Sequence, residues 1–204
     1  MKKIKLFGLI LILGITISSC KKDNTTVDSN PVETHKITNL YAPSDVRDRE
    51  TGEITQKNEY VYFDFSTGKT VEKTADWDIG FKGTSIIVNG GVNGTGNVSA
   101  TLIASTFGDL KEAPSADQFK QDTELATAVP SGSGNGWYEY NPTNHLISPI
   151  AGRIIVVKTT EGNYAKMEIL SYYKDAPANP DPLTDQQDTF TFNYAYQSDG
   201  STKF

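Results

Sequence analysis

Cysteine and histidine are scarce in this chain of 204 residues, which contains one cysteine, Cys20, and two histidines, His35 and His145. A single cysteine excludes an intramolecular disulfide, so the fold must be held by its core. Two histidines so far apart in the sequence argue against a closed zinc site, which needs four ligands. The G-x-S-x-G and H-E-x-x-H motifs and a catalytic cysteine are also missing. We therefore expect that the protein is not an enzyme.

Long apolar runs are missing beyond the N-terminus. Three lysines within the first five residues precede an apolar run over residues 6–17, which is shorter than the roughly 18 residues that span a bilayer. The sequence Ile17-Ser18-Ser19-Cys20 follows and resembles a bacterial lipobox, in which the cysteine is acylated. We predict that residues 1–19 are a lipoprotein signal peptide. Acyl chains such as palmitate on Cys20 would then anchor the protein to a membrane.

Basic runs are also scarce. The formal net charge is −6, and loss of residues 1–19, which hold lysines but no acids, makes it about −9. Because no basic stripe follows Lys21-Lys22, we do not expect nucleic acid as a partner. Residues 20–35 are polar and free of aromatics, which predicts a flexible tether. Residues 36–204 are long enough for one domain with a sizeable core.

What the chain does contain is a series of strand-like stretches rich in aromatic and β-branched residues, separated by Gly, Asn and Pro. The clearest is a hairpin over residues 154–172. It begins with the apolar run IIVV, turns at TTEGN, and places Ala165, Met167 and Ile169 on one inward face. The pattern predicts an all-β, mostly antiparallel fold.

Three other segments need a structural interpretation. STGKT (66–70) resembles the end of a phosphate-binding loop, but the motif's first glycine is absent and a strand follows, so a hairpin turn is favoured. NGGVNGTGN (89–97) is predicted to be a loop whose glycines supply positive φ angles. Residues 114–128 change character and predict one short helix.

Asp76 and Asp78 flank Trp77 and are the one pair of carboxylates considered for acid–base catalysis. Such a pair supports acid–base chemistry only when burial separates the two pKa values. On a strand with Trp77, Ile79 and Phe81 facing the core, both carboxylates would lie on the outer face. We interpret them as solvated surface residues.

The order of several stretches resembles a known family. After the lipobox and tether come YFDFSTGKTVE (62–72), DWDIGF (76–81), the Gly-rich loop, Gly136-Trp137 with its aromatic run, GNYAKMEILSYYKDA (162–176) and FTFNYAY (190–196). Together they resemble the HmuY family of haem-binding outer-membrane lipoproteins over about residues 60–196.

The resemblance implies an all-β HmuY-like domain over residues 36–204 that takes part in iron acquisition. It implies that the domain binds haem and passes it to a TonB-dependent receptor. It also implies anchoring to the outer membrane through acylated Cys20, on either the periplasmic or the cell-surface side. Members of the family hold haem between paired histidines or paired methionines, because imidazole and thioether both bind haem iron axially.

His145 lies in the loop that supplies one of these ligands in the family, and it is the candidate haem ligand. The stretch that should supply the second, residues 101–129, contains neither histidine nor methionine. Met167 is predicted to be a core residue, and His35 lies in the predicted tether.

Two hypotheses stay open. The protein binds haem through His145, or it is a non-haem surface interaction lipoprotein on the same scaffold. Under the first, three aromatic residues are expected to line the pocket, namely Trp137, Tyr138 and Tyr140. Three residues close in sequence could hold the second ring nitrogen of His145, namely Thr143, Asn144 and Ser148.

Overall fold

The computed structural model describes residues 32–204. The predicted signal peptide, Cys20 and most of the predicted tether lie outside this range. The first strand begins at Thr34, slightly ahead of the predicted domain start at residue 36. The strands are β1 (Thr34–Tyr41), β2 (Val46–Arg47), β3 (Ile54–Gln56), β4 (Val61–Asp64), β5 (Lys69–Val71), β6 (Ile79–Lys82), β7 (Ser85–Val88), β8 (Ser99–Ala104), β9 (Tyr138–Asn141), β10 (Leu146–Pro149), β11 (Arg153–Lys158), β12 (Tyr164–Ser171) and β13 (Thr189–Gln197).

The largest sheet has five antiparallel strands in the order β1-β13-β12-β11-β8. The predicted hairpin is β11–β12, with Ile155 opposite Met167 and Val157 opposite Ala165. Strand β12 is the middle strand, so the predicted hairpin is confirmed and is central to the sheet. Inward residues of this sheet alternate with a period of two, as expected for strands.

A four-stranded antiparallel sheet, in the order β5-β4-β6-β7, covers the inner face of the first sheet. The STGK segment is its β4–β5 turn, as predicted. Gly68 in this turn has a φ of 65°, and a side chain there would collide with the Tyr194 hydroxyl. The space between the sheets is filled by aromatic rings, among them Phe63 packed edge-on against Phe192. The all-β prediction is therefore confirmed.

The run IIVV in β11 is buried on both faces of the sheet. Ile155 and Val157 belong to the main core. Ile154 and Val156 point the other way and pack in a second cluster, which lies under the segment around Phe107 and includes Ala113 and Phe204. This outer layer explains why four consecutive residues of one strand are all apolar.

Lys166 shows how closed the outer layer is. Its side chain lies on the outer face of β12, where a lysine would ordinarily reach water, yet the residue is only 5% exposed. Its Nζ donates hydrogen bonds to the carbonyl oxygens of Phe107 and Leu110, at 2.8 and 2.7 Å, and lies over the Phe107 ring. Burial lowers the pKa of this ammonium group.

The predicted helix over residues 114–128 is reduced to a single 3-10 turn, Ala116–Gln118. Bonds to distant strands replace helical bonds here. Lys120 pairs with Ala100 through backbone hydrogen bonds, and the Asp122 carboxylate accepts bonds from the backbone N–H groups of Val88 and Ala128. Leu125, an apolar residue within the predicted helix, is 97% exposed. The helix prediction is wrong, because bonds to β7 and β8 hold this segment in another conformation.

Across the described part of the chain, no helix has the length and apolar character needed to cross a membrane.

Candidate functional site

The candidate site is the β9–β10 hairpin, which is fixed to the main core at its base. Trp137, just before β9, is buried, and its indole N–H donates to the Thr84 carbonyl oxygen at 3.0 Å. The backbone N–H of Ile150 donates to the Trp137 carbonyl oxygen, and that of Ile147 to the Tyr173 hydroxyl. These bonds attach both strands of the hairpin to the sandwich.

The tip of the hairpin is a four-residue turn over residues 142–145. The Asn141 side-chain oxygen accepts the Thr143 N–H, and the Asn144 side-chain oxygen accepts the Leu146 N–H. Asn–Pro favours such a turn, since Asn bonds its own backbone two residues on and Pro fixes φ. His145 closes the turn in the left-handed region, with a φ of 61°. The turn therefore holds the His145 backbone in one conformation.

The His145 side chain is exposed and has a hydrogen-bond partner, Tyr140. The Tyr140 hydroxyl oxygen lies 2.6 Å from Nδ1 of His145. In the tautomer with the proton on Nδ1, that N–H donates to the Tyr140 oxygen and Nε2 keeps its lone pair. Nε2 is then the nitrogen that can bind a metal. Such a hydrogen bond to the second nitrogen is typical of metal-binding histidines.

The partner of His145 differs from those proposed from sequence. Thr143 and Asn144 bond within the turn instead. Tyr140 is paired with Ile147, two residues beyond His145, so it is the diagonal neighbour across the hairpin and lies within reach. This contact depends on the register of the two strands, which the length of the turn determines. A sequence analysis that had predicted a four-residue turn would have predicted that Tyr140 lies beside His145.

The three aromatic residues predicted to line the pocket occupy different environments. Trp137 is 2% exposed and Tyr138 is 9% exposed, and both pack in the main core, with ring centroids 4.9 Å apart. Tyr140 is 40% exposed and adjoins His145. Trp137 and Tyr138 therefore position the hairpin, and Tyr140 alone shares the exposed surface with His145.

The second histidine and Met167 do not lie beside the hairpin base. Met167 is fully buried in the core, as predicted. His35 lies on β1, stacked on Tyr194 with ring centroids 5.1 Å apart. The hairpin base is near the other end of β13, because the Thr189 N–H donates to the Tyr172 carbonyl oxygen and the Tyr172 ring packs against Trp137. Tyr194 is five residues further along β13. At about 3.3 Å per residue these positions are separated by about 17 Å, so His35 lies toward the other end of the sheet.

The carboxylate pair around Trp77 departs from the sequence interpretation. Asp76 is exposed as expected, but Asp78 is only 2% exposed. Its carboxylate accepts the backbone N–H groups of Phe65 at 2.9 Å and Thr160 at 3.4 Å. Loss of hydration on burial raises the pKa of Asp78 to about 7, although the backbone hydrogen bonds act in the opposite direction. The interpretation of Asp78 as a surface residue was wrong.

Trp77 also differs from the prediction. Strand β6 begins at Ile79, so the two-residue alternation does not extend back to Trp77. Ile79 and Phe81 face the main core, whereas Trp77 packs on the outer face of the four-stranded sheet with Tyr62 and Ile87. Among residues 32–204, no group of three or more His, Cys, Asp or Glu side chains is placed to hold a metal ion.

The fold and this hairpin define an all-β protein with a tightly packed interior and an exposed imidazole, His145, on a hairpin. The model of the family described as HmuY protein matches residues 56–194, which is more than half of the chain. The chain therefore belongs to the HmuY family. No curated protein matches it significantly.

The solved structures similar to this chain include the following three. The apo HmuY analogue from Tannerella forsythia is 17% identical, with 81% of this chain and 95% of that chain covered and a TM-score of 0.44. Apo PinO from Porphyromonas gingivitis is 18% identical, with coverages of 83% and 99% and a TM-score of 0.44. A Bacteroides vulgatus protein described as HmuY-like and haem-binding is 15% identical, with coverages of 68% and 85% and a TM-score of 0.43.

Proposed function

We propose that this protein is a lipid-anchored haem-binding protein that takes up haem at the β9–β10 hairpin and passes it to a TonB-dependent receptor. The observation that carries the proposal is the contact between His145 and Tyr140 in a member of the HmuY family. With the proton on Nδ1, this contact leaves Nε2 available on an exposed hairpin. Metal-binding imidazoles almost always have their second nitrogen held in this way.

The residues present offer a haem iron one protein ligand, His145, which would hold it through Nε2. Met167 is fully buried and His35 lies toward the other end of the sheet, so neither is placed to act as a second protein ligand. We therefore expect weaker binding and a more spin-mixed spectrum than for a bis-histidine site.

Haemin titration at neutral pH, followed by absorbance in both redox states, tests this proposal. The wild type should give a saturable Soret shift, and His145→Ala should abolish it. Tyr140→Phe should weaken binding by roughly 10-fold to 100-fold, as found for partners of metal-binding histidines. His35→Ala is the matched control and should bind like the wild type. Absence of a saturable shift in the wild type would refute haem binding.

Anchoring is a separate part of the proposal and depends on Cys20 in the sequence Ile17-Ser18-Ser19-Cys20. Cys20→Ala should prevent incorporation of labelled palmitate and leave the protein outside the outer-membrane fraction. A variant that still fractionates with the outer membrane would show that the lipobox interpretation is wrong. Protease added to intact cells would distinguish a cell-surface from a periplasmic location.

Transfer to a receptor can be tested in cells supplied with haemin as the iron source. Loss of this protein should slow growth, and loss of TonB should remove the difference between cells with and without the protein. Equal growth with and without the protein would contradict a role in haem supply.

A non-haem surface interaction lipoprotein is the second candidate. The observation that favours it is the burial of Met167 together with the position of His35, which leaves one histidine near the hairpin. On this hypothesis, Tyr140 and His145 stabilise the turn. A wild type that gives no Soret shift while remaining anchored through Cys20 would support it.

A further inference from the structure

The outer face of the four-stranded sheet carries a small aromatic cluster that is separate from the main core. Tyr62, Trp77 and Ile87 are its buried members, with Tyr60 and Val71 partly buried against them. The hairpin with His145 is anchored elsewhere, at Thr84 and Tyr173. A function at this outer face would therefore be independent of haem binding.

Two adjoining depressions lie over this cluster, with volumes of about 470 and 220 Å³. They share four wall residues, Glu59, Tyr60, Tyr62 and Lys73, so they adjoin one another, and together they are here called the tyrosine groove. Its size is within the range of about 300–1,000 Å³ that is usual for small-molecule sites. Two adjoining depressions suit a ligand built from repeated units.

The aromatic floor of the tyrosine groove is held by packing. The ring centroids of Tyr62 and Trp77 are 4.6 Å apart, and those of Tyr60 and Tyr62 are 6.4 Å apart. Lys82 Nζ lies 4.9 Å from the Tyr60 ring centroid, which restrains that ring further. Both tyrosines combine an apolar ring with a hydroxyl group that can donate and accept. The groove thus offers preformed apolar surface beside hydrogen-bonding groups.

Charges around the groove are balanced. Three lysines line it, Lys57, Lys73 and Lys82, and two glutamates, Glu59 and Glu72. Lys82 also pairs with Asp45, at 3.3 Å between Nζ and Oδ1, so that cations and anions are equal in number. A balanced rim does not select a strongly anionic or cationic ligand. It supplies both donors and acceptors to a neutral polar one.

We propose that the tyrosine groove is a binding site for a neutral oligosaccharide. A pyranose ring has an apolar C–H face, which packs on an aromatic ring, and an edge of hydroxyl groups, which require donors and acceptors. Tyr60, a wall residue of both depressions, provides the ring. Glu59, Glu72, Lys73 and the tyrosine hydroxyls provide the polar partners.

Affinity gel electrophoresis of the full chain in non-ionic detergent tests the proposal. The gels contain soluble mannan, dextran, xylan, mixed-linkage β-glucan or arabinogalactan. At least one of these neutral polysaccharides should retard the wild type, and Tyr60→Ala should weaken that retardation at least tenfold. Tyr60→Phe should keep most of it, because the ring remains. Tyr41→Ala, at another tyrosine that is 51% exposed on β1, is the matched control and should behave like the wild type.

Two outcomes would overturn the proposal: no retardation by any of the five polysaccharides, or equal retardation of wild type and Tyr60→Ala. Circular dichroism of Tyr60→Ala must match the wild type for its loss of binding to count in support. Haemin titration of the same variant separates the two sites. Tyr60→Ala should respond to haemin as the wild type does, whether the wild type gives a Soret shift or none.

Discussion

The middle of the five-stranded sheet and the β9–β10 hairpin are built on different principles. In β11 and β12, residues such as Ile155 and Met167 are buried on faces that distant segments cover. At the hairpin tip, residues 141–145 are exposed and are held by bonds within the turn. Packing therefore determines the first region, and short-range hydrogen bonds determine the second.

This difference assigns stability to the packed sheet and ligand binding to the exposed hairpin. A buried side chain tolerates little change, because packing partners surround it on all sides. An exposed turn residue such as His145 can be exchanged with small effects on folding, so it is free to carry a ligand. Hydrogen bonds from the Trp137 indole to Thr84 and from the Ile147 N–H to the Tyr173 hydroxyl fix the hairpin to the sandwich. They therefore fix the position at which His145 is exposed.

The largest effect is expected from a charge placed in the sheet. Ile155→Asp would put an unpaired carboxylate among apolar side chains, at a cost of several kcal/mol. Because typical domains are stable by about 5–15 kcal/mol, the variant should be largely unfolded. Thr143→Asp, the same charge at the exposed hairpin tip, is the control and should be within about 0.5 kcal/mol of wild type. Urea unfolding followed by circular dichroism gives both values, and equal midpoints would contradict the contrast.

A second effect depends on pH and concerns Asp78. Its pKa is about 7 in the folded protein, against about 3.9 for an unperturbed aspartate. The folded state thus binds the proton more tightly, so this residue's contribution to stability is complete below about pH 4 and is lost as the pH rises through about 7. The loss should be on the order of a few kcal/mol.

Asp78→Asn removes the titrating group and should flatten the fall in stability between about pH 4 and 7. The control is Asp76→Asn, two residues away and exposed, which should keep the wild-type profile. Unfolding midpoints measured at several pH values compare the three proteins. A wild-type profile in Asp78→Asn would show that another group is responsible.

A third, smaller effect is expected at Lys166 on the outer layer. Lys166→Met leaves two carbonyl oxygens, those of Phe107 and Leu110, without their shared donor. An unsatisfied buried polar group costs about 1–3 kcal/mol. Amide hydrogen exchange should speed up over residues 105–113 and stay unchanged over residues 138–149. Lys36→Met, on an exposed position of β1, is the control and should leave exchange over both ranges unchanged. Equal protection in Lys166→Met and wild type would contradict a role for Lys166 in holding the segment from Phe107 to Leu110.

The smallest effect on stability is expected at His145. Its left-handed backbone, with φ of 61°, is disfavoured for a side chain with Cβ by about 1–2 kcal/mol and suits glycine. His145→Gly should therefore be as stable as wild type or slightly more stable, and His145→Ala should be less stable than His145→Gly. Both variants should lose haem binding. A large loss of stability in His145→Gly would show that the ring itself holds the hairpin together.

Sequence alone determined the features that depend on neighbouring residues. The alternation of Ala165, Met167 and Ile169, the apolar run of β11 and the turn between β4 and β5 were all predictable, because strand periodicity and turn chemistry are local properties. The family was also predictable from the order of its stretches, and it is shown by the match over residues 56–194. The role of His145 as a ligand stays a prediction.

Only the tertiary structure decided which polar groups are buried and what covers the sheets. Asp78 was interpreted as a surface residue from its spacing, and Lys166 lies on the face of β12 opposite its inward residues, yet Thr160 and the segment from Phe107 to Leu110 cover them. Residues 114–128 carried a helix-like pattern, but Ala100 and Val88 hold them in another conformation. Burial depends on segments that are distant in the sequence, and the energy of one long-range hydrogen bond or packed face exceeds the weak local preference of a few residues.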